Sequence, residues 1–292
     1  MTVRRTLAIA GLLAIAAAPG AAQSWQTLTA QRGLGREDSL RVIVSYGLGK
    51  FILRAAETAT LYDVALKYDA DLFRAEKQYD AASHTLRIGA DSATAERFTV
   101  HARNFRGGNE RSTKGGEMKL LLARGVPLDL TISLGIASAE IDLGDLWVDR
   151  ARIEAAMGAA NISFPTPNVH SMRELVIDAA FSGINVDHLG NTHARRVKIE
   201  AALGGGALDF RGDWTGEMTV EISAVLGGFH LSVPTDAGVR INATTRLGGM
   251  SLKGFTKREG AYYSPNYDAA KRKLNITADA TLGGCEIAWV AP

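Results

Sequence analysis

A short motif recurs along the second half of the chain: a bulky apolar residue followed by glycine, directly or after one serine. Successive motifs start 23, 24, 22, 23, 21 and 35 residues apart. Apolar residues alternate with polar ones on both sides of each motif, which is typical of β-strands and not of helices. The motifs are Leu134-Gly135, Met157-Gly158, Phe181-Ser182-Gly183, Leu203-Gly204, Leu226-Gly227-Gly228, Leu247-Gly248-Gly249 and Leu282-Gly283-Gly284. Near-constant spacing of strand-forming units predicts repeats that stack and share one core.

The predicted fold is therefore all-β, a β-solenoid-like rack of about seven rungs over residues 126–292. We expect each bulky residue to point into the core. The glycine after it would then allow a bend with positive φ, or a close approach between neighbouring rungs where a Cβ would clash. A two-sheet sandwich built from hairpins is the alternative, since its strands also alternate.

A small β domain with a linker loop is predicted ahead of the rack, over residues 33–119. The alternation from Leu40 to Leu53, interrupted by Gly47-Leu48-Gly49, predicts a hairpin-like strand pair. About three further short strands are expected between Leu61 and Ile88. The stretch from His101 to Gly116 is polar and contains glycine, which predicts a linker loop.

The first 22 residues predict export from the cytoplasm. Two arginines precede an apolar run from Leu7 to Ala18, and small residues ending at Ala22 follow it, as in a secretory signal peptide. We expect a periplasmic or extracellular product with no membrane span in the mature chain.

Charge and cysteine content narrow the classes of partner and chemistry. The chain has 33 Lys+Arg and 31 Asp+Glu, and the surplus equals Arg4 and Arg5 of the leader. The neutral mature chain lacks the field that nucleic-acid binding depends on, so no nucleic-acid partner is expected. Cys285 is the single cysteine, which excludes an internal disulfide and predicts a small core residue.

A family resemblance rests on several segments of the sequence. They are Val126 to Leu130, Leu134 to Ala137, the recurring Leu-Gly-Gly motifs, Gly248 to Phe255, and near the N-terminus Leu61, Tyr68-Asp69 and Tyr79-Asp80. Together they resemble the toast-rack family, with a C-terminal part similar to the extracytoplasmic domain of LiaF-type envelope-stress proteins. The resemblance implies a β-rack that, in LiaF-type proteins, lies behind membrane helices and modulates a two-component system. This chain has a signal peptide in place of those helices, and the family offers no established catalytic residues.

Three acidic residues, Glu154, Asp178 and Glu200, each stand three positions before the motif of their repeat, and Asp279 holds the same position in the last repeat. Stacked rungs lie about 4.8 Å apart, so these carboxylates are candidates for an outward-facing ladder that shares a proton or recruits calcium. The alternative is a solvated strand face on which Arg152 and Lys198 balance the charge. Asp187, His188 and His193 are close enough in sequence to ligate a metal, but their glycine- and asparagine-containing loop is typical of an ordinary turn. No metal or other cofactor is predicted.

The last repeat contains an insertion, Lys257 to Lys273, that combines aromatic and basic residues. Tyrosines beside cations suit contact with proteins or glycans. The alternative is a hairpin that caps the open end of the stack against edge pairing. Its candidate binding residues are Tyr262, Tyr263, Tyr267, Arg258, Lys271 and Arg272.

These features predict a non-enzymatic, exported protein that acts by binding, as an adhesion protein, a scaffold or an accessory to envelope-stress sensing. We expect a protein or envelope-glycan partner, and self-assembly is a further possibility. No catalytic residue is assigned. The alternative is a polysaccharide-acting lyase or hydrolase, by analogy with enzymes built on other β-solenoids.

Overall fold

A computed structural model describes residues 24–92 and 115–292. The predicted signal peptide and most of the predicted linker loop lie outside these residues. The described residues form sixteen strands and one 3-10 turn, Leu189–Thr192. The strands are β1 (Trp25–Gly33), β2 (Leu40–Ala55), β3 (Thr60–Asp69), β4 (Phe73–Asp80), β5 (Thr85–Ser92), β6 (Gly116–Leu122), β7 (Leu128–Asp142), β8 (Val148–Ser163), β9 (Glu174–Asp187), β10 (Arg196–Leu203), β11 (Gly205–Asp209), β12 (Gly216–Pro234), β13 (Gly238–Ser251), β14 (Thr256–Arg258), β15 (Ala261–Tyr263) and β16 (Arg272–Val290). The predicted all-β fold is confirmed.

The long strands stack in parallel and in register, as expected of a rack. Their order is β2, β7, β8, β9, then β10 continued by β11, then β12, β16 and β13. Because neighbouring strands pair without offset over most of their length, residues at equivalent positions form columns that run across the sheet.

Each long strand bends once, and the bend changes which side chains face the core. In β8, Ala151, Ile153 and Ala155 are buried before the bend, whereas Ala160 and Ile162 are buried after it. The buried positions thus change from odd to even numbers within one continuous strand. The two arms of each strand enclose the core between them, and buried residues of the connecting loops close its third side, among them Phe164, Met172, Leu189, Phe210 and Trp214.

In five of the motifs the bulky residue is exposed on the outer side of this bend, so the prediction that it points into the core is wrong for these five. The exposed fractions are 48% for Met157, 56% for Phe181, 40% for Leu203, 45% for Leu226 and 41% for Leu282. The bend is convex at this position, and the side chain that precedes the glycine therefore leaves the core. We call this column of outward apolar residues the corner ridge.

The register corrects the alignment of the first repeat. Ile136 pairs with Met157, whereas Leu134 pairs with Ala155 and is buried. The residue of the first repeat that joins the corner ridge is therefore Ile136, two positions beyond the one expected.

The strand β2 is itself a rung, and the predicted hairpin at this position is wrong. One continuous strand runs through Gly47 to Gly49 and pairs in parallel with β7, so that Leu48 lies beside Ile136. Beyond β2 the two arms continue as separate sheets: β5 and β4 extend the first arm, and β6, β3 and β1 extend the second. Strands from the two sides of the predicted domain boundary share one sheet, because β2 pairs with both β6 and β7. The domain division itself stays a prediction.

The order of the last strands differs from their order in the sequence. The final strand, β16, lies between β12 and β13, with Leu282 paired to both Leu226 and Leu247. The chain therefore leaves β13, forms β14 and β15 along its outer edge, and returns to occupy the place between two rungs. The unusually long last step of the repeat spans this detour.

The stacking requires a glycine at some corners, as predicted, and not at others. Gly227 has φ 132°, and a Cβ placed on it would lie 1.5 Å from the carbonyl oxygen of Gly204 in the neighbouring rung. Gly183, also in the corner region, has open space around the position of a Cβ and no positive φ. The glycine therefore serves both the bend and the close approach of rungs at Gly227, but neither at Gly183.

Replacing Gly227 by alanine should lower the free energy of unfolding by about 3 kcal/mol or more, because a strained φ and a backbone clash act together. The matched Gly183→Ala variant should change it by about 0.5 kcal/mol or less. Urea unfolding of the mature chain, followed by circular dichroism, measures both. Equal effects of the two substitutions would show that the corner does not need a glycine at residue 227.

Candidate functional site

An open groove of about 670 Å³ runs beside the corner ridge, across the first arms of β2, β7, β8, β9 and β10. Its floor consists of the small residues that directly precede the ridge residues: Gly47, Gly135, Ala156, Ala180 and Ala202. On one side of this floor lies the corner ridge. On the other side lie polar side chains, each two residues before the floor residue of its strand. We call this feature the corner groove.

The predicted carboxylate ladder forms the polar side of the corner groove. Glu154 pairs in register with Asp178, and Asp178 with Glu200. Asp279 does not join them, because its strand neighbours in the sheet are Ser223 and Thr244. The name carboxylate column is used below for Glu154, Asp178 and Glu200.

Ser133 extends the carboxylate column by one rung, and sequence reasoning missed it. It pairs with Glu154, and its hydroxyl donates a 2.9 Å hydrogen bond to Glu154 Oε2. The signal that would have found it is the correct alignment of the first repeat on Ile136-Ala137, in which alanine takes the place of the glycine.

Two basic residues lie among the carboxylates, as the alternative of a balanced strand face expected. Arg152 Nε is 2.8 Å from Glu154 Oε1, and its Nη2 is 2.5 Å from Asp178 Oδ2. Lys198 Nζ is 2.8 Å from Glu200 Oε1. Three carboxylates thus share two cations, which leaves negative charge at the centre of the corner groove.

The carboxyl groups differ in pKa because their surroundings differ. Hydrogen bonds from Arg152 and Ser133 hold the pKa of Glu154 below its usual value, and the bond from Lys198 does the same for Glu200. Partial burial raises the pKa of Asp178, and the neighbouring carboxylates of Glu200 and Glu154 add to this effect against the attraction of Arg152. The Oδ1 atom of Asp178 is buried and has no hydrogen-bond partner among the described residues.

A second acidic cluster lies at the end of the second arm. One ligand atom each of Asp187, His188 and Asp209 fall within 4.8 Å of one another. His193, which the sequence placed with Asp187 and His188, is not part of this group. Arg211 already pairs with Asp209 at 2.5 Å and approaches Asp187 at 3.9 Å, so a metal ion would have to compete with its guanidinium.

The tyrosine insertion lies along the outer edge of β13. Its strand β15 pairs antiparallel with β13 at two positions, Arg240 with Tyr263 and Ile241 with Tyr262. The aromatic rings contact cations of the same chain: Arg258 lies 4.3 Å from the Tyr263 ring centroid, and Lys273 lies 5.0 Å from that of Tyr267.

Two polar residues that the sequence did not single out attach this insertion to the rack. Ser264 Oγ accepts a 2.8 Å hydrogen bond from the amide of Val239, and Asn266 Nδ2 donates to the carbonyl oxygens of Thr235 and Ala237, both at 3.1 Å. Of the remaining candidate binding residues, Arg272 donates to the Gly212 carbonyl at 3.0 Å, and Lys271 is exposed. These contacts are those expected of a cap; binding of a partner by the same residues stays a prediction.

Cys285 lies in β16 and is buried. Burial raises the pKa of its thiol to about 11. At neutral pH the group is therefore a neutral thiol, as expected of a small core residue and unlike an activated nucleophile.

Two family models match the chain, in adjoining segments. Residues 21–177 match the N-terminal domain of toast_rack, and this segment is more than half of the chain. The chain belongs to the toast-rack family. Residues 188–287 match the C-terminal domain of LiaF, described as a cell wall-active antibiotics response protein. The first match ends within β9 and the second begins directly after that strand, so both extend into the rack. Both matches fit a non-enzymatic, envelope-associated protein.

Solved structures with low sequence identity also resemble the chain. A candidate cell adhesion protein from Clostridium sporogenes has a TM-score of 0.45 and 14% identity, with 91% of this chain and 100% of that chain covered. A candidate adhesin from Bacteroides fragilis has a TM-score of 0.38 and 10% identity, with 90% and 97% covered. A search of curated proteins finds no match to the chain.

Over residues 24–92 and 115–292, no helix has the length and hydrophobicity needed to cross a membrane.

The surroundings of Asp178 predict that its pKa shifts in opposite directions in two variants. In the mature chain, a pH titration followed by carbon-detected NMR should find the titration midpoint of the Asp178 carboxyl group above the ordinary aspartate value. Arg152→Gln should raise this midpoint further, because it removes an attracting cation, and Glu200→Gln should lower it, because it removes a repelling anion. Shifts of the same sign in both variants would contradict the assigned electrostatics.

Proposed function

We propose that this protein is exported with cleavage near Ala22 and acts without catalysis as an accessory to cell-envelope stress sensing. It binds a protein partner on the outer corner of its rack. The signal peptide takes the place of membrane helices, so the protein reaches the envelope by secretion and influences the stress system through contact with another protein.

The observation that carries this proposal is the corner ridge. Five large apolar side chains, Met157, Phe181, Leu203, Leu226 and Leu282, are each 40% or more exposed, and the register places them in one column. Single exposed apolar residues are ordinary on protein surfaces, but a contiguous apolar patch marks an interaction site.

The family match supports a role in cell-envelope stress sensing. The model that fits residues 188–287 is described by a response to cell wall-active antibiotics, which supports a role in the response to envelope stress. The carboxylate column of this chain is occupied by Arg152 and Lys198, which favours a binding surface over an acid–base pair. The polysaccharide-acting enzyme remains the untested alternative.

Deleting the gene in the native host should change the activity of an envelope-stress reporter after exposure to a cell wall-active antibiotic. Wild-type protein supplied from a plasmid should restore the normal response. A Phe181→Ser, Leu203→Ser variant should fail to restore it, because its ridge no longer offers an apolar contact.

The matched control is Val169→Ser, which removes an apolar side chain that is 64% exposed but lies outside the corner ridge. It should restore the response fully, and immunoblots of the envelope and cytoplasmic fractions establish that all versions are exported equally. An unchanged reporter in the deletion strain would contradict a role in envelope stress.

A further inference from the structure

The carboxylate column lines the corner groove, and the corner ridge follows it on the same strands, so that charged and apolar side chains lie on one surface. Within each strand the carboxylate stands three residues before the ridge residue, as Asp178 does before Phe181 and Glu200 before Leu203. Three residues of extended strand span about 10 Å. This width is close to the diameter of an α-helix with its side chains, which is about 10–12 Å.

The spacing along the corner groove also suits a helix. Ridge residues of neighbouring rungs follow one another at about 4.8 Å. Side chains on one face of an α-helix recur every three or four residues, which is about 4.5–6 Å at 1.5 Å per residue. Side chains on one face of an extended strand recur at about 6.6 Å and therefore lose register with the rungs after two or three steps.

The charge of the corner groove determines what the helix must carry. The carboxylate column has three anions and two cations, and the uncompensated charge centres on Asp178, whose Oδ1 atom is buried without a hydrogen-bond partner. A lysine ammonium or an arginine guanidinium from a partner would supply the missing positive charge beside the exposed edge of the carboxylate column. An acidic partner would instead add like charge to the column and be repelled.

We propose that the corner groove binds a basic amphipathic α-helix of the protein partner, with the apolar face of the helix on Phe181 and Leu203 and its cations beside Asp178 and Glu200. This inference rests on the proposed binding function and names the chemistry of the partner. The corner groove crosses five rungs, from β2 to β10, and so spans four rung steps, about 19 Å, which corresponds to a helix of about 13 residues.

A second copy of this chain is a poorer occupant of the same groove. The described residues contain no α-helix, so the copy would have to dock through its own corner ridge. If the ridge of one copy lay in the groove of the other, the carboxylate column would face the residues that follow the partner's ridge. On these rungs they are Ala159, Gly183 and Gly205, and none of them carries a cation.

A direct binding experiment tests the inference with the mature chain and synthetic peptides of about 16 residues, long enough to cover the ridge. The probe is a fluorescein-labelled leucine–lysine peptide with leucines at helical spacing and lysines on the opposite edge. One control peptide has glutamate in place of lysine, and another has the same composition with leucine and lysine alternating, the pattern of a strand. Fluorescence anisotropy measures the affinity at low and high salt.

The helical leucine–lysine peptide should bind tightest and should weaken as salt is added. The groove variant Asp178→Asn, Glu200→Gln and the ridge variant Phe181→Ser, Leu203→Ser should each lose about tenfold in affinity or more. The groove variant should also lose most of the salt dependence. Asp279→Asn, at the equivalent position of a rung outside the groove, and Val169→Ser should bind as the wild type does.

Three outcomes would overturn the inference: equal binding of the glutamate peptide, equal binding of the alternating peptide, or unchanged affinity in both double variants. Circular dichroism of the unlabelled variants confirms that they are folded. Light scattering that finds a wild-type dimer, dissociated by the ridge variant, would instead assign the ridge to a second copy. Peptide binding as expected together with an unchanged stress reporter would leave this inference standing and reject the stress function.

Discussion

In-register pairing between parallel strands is the constraint on which the rest of this structure depends. Because each rung repeats the path of the previous one at a separation of about 4.8 Å, any residue type that recurs in the repeat becomes a column. The corner glycines keep this separation where the strand bends, as at Gly227, where a Cβ would meet the carbonyl of the next rung. The corner ridge and the carboxylate column are two further columns produced by the same stacking.

Stacking also explains why apolar residues are displayed on the surface. The bulky residue occupies the convex side of the corner, and at Gly158, Gly204, Gly227 and Gly283 the glycine after it has the positive φ that the bend uses. The core receives side chains from the two arms, such as Ile153 before the bend and Ile162 after it, both buried. The rack therefore has a complete core without the ridge residues. Their hydrophobic surface has no partner within the described chain, and this favours a role in binding.

The all-β fold and the stacking of repeats could be predicted from the sequence because alternation and spacing follow directly from strand geometry. The direction of the ridge residues could not, because alternation gives relative sides only within a straight strand, and the bend exchanges them between Ala155 and Ala160. The position of β16 between β12 and β13 could not be predicted either, because interior and terminal rungs have the same alternation of apolar and polar residues. The β2 rung carries glycine on both sides of Leu48, and this made it resemble a turn.

The carboxylate column was predictable because its three members share one position in the repeat, and its charge balance was predictable from Arg152 and Lys198. The difference in pKa among the three carboxyl groups could not be predicted, because it depends on how deeply Asp178 is buried and on which of its oxygens Arg152 contacts. The same holds for Ser264 and Asn266, whose hydrogen bonds to the start of β13 and the segment before it follow from the position of the insertion and not from any local pattern.

The outward direction of the corner ridge is the central claim, and thiol labelling tests it most directly. In a Cys285→Ala background, Phe181→Cys and Leu203→Cys place a thiol on the ridge, and Ile199→Cys places one at a fully buried position of the same sheet. Under native conditions the two ridge thiols should react with a soluble disulfide reagent within about tenfold of the rate of free cysteine. The thiol at residue 199 should react at least about a hundredfold more slowly. Ridge thiols as protected as the one at residue 199 would contradict the account.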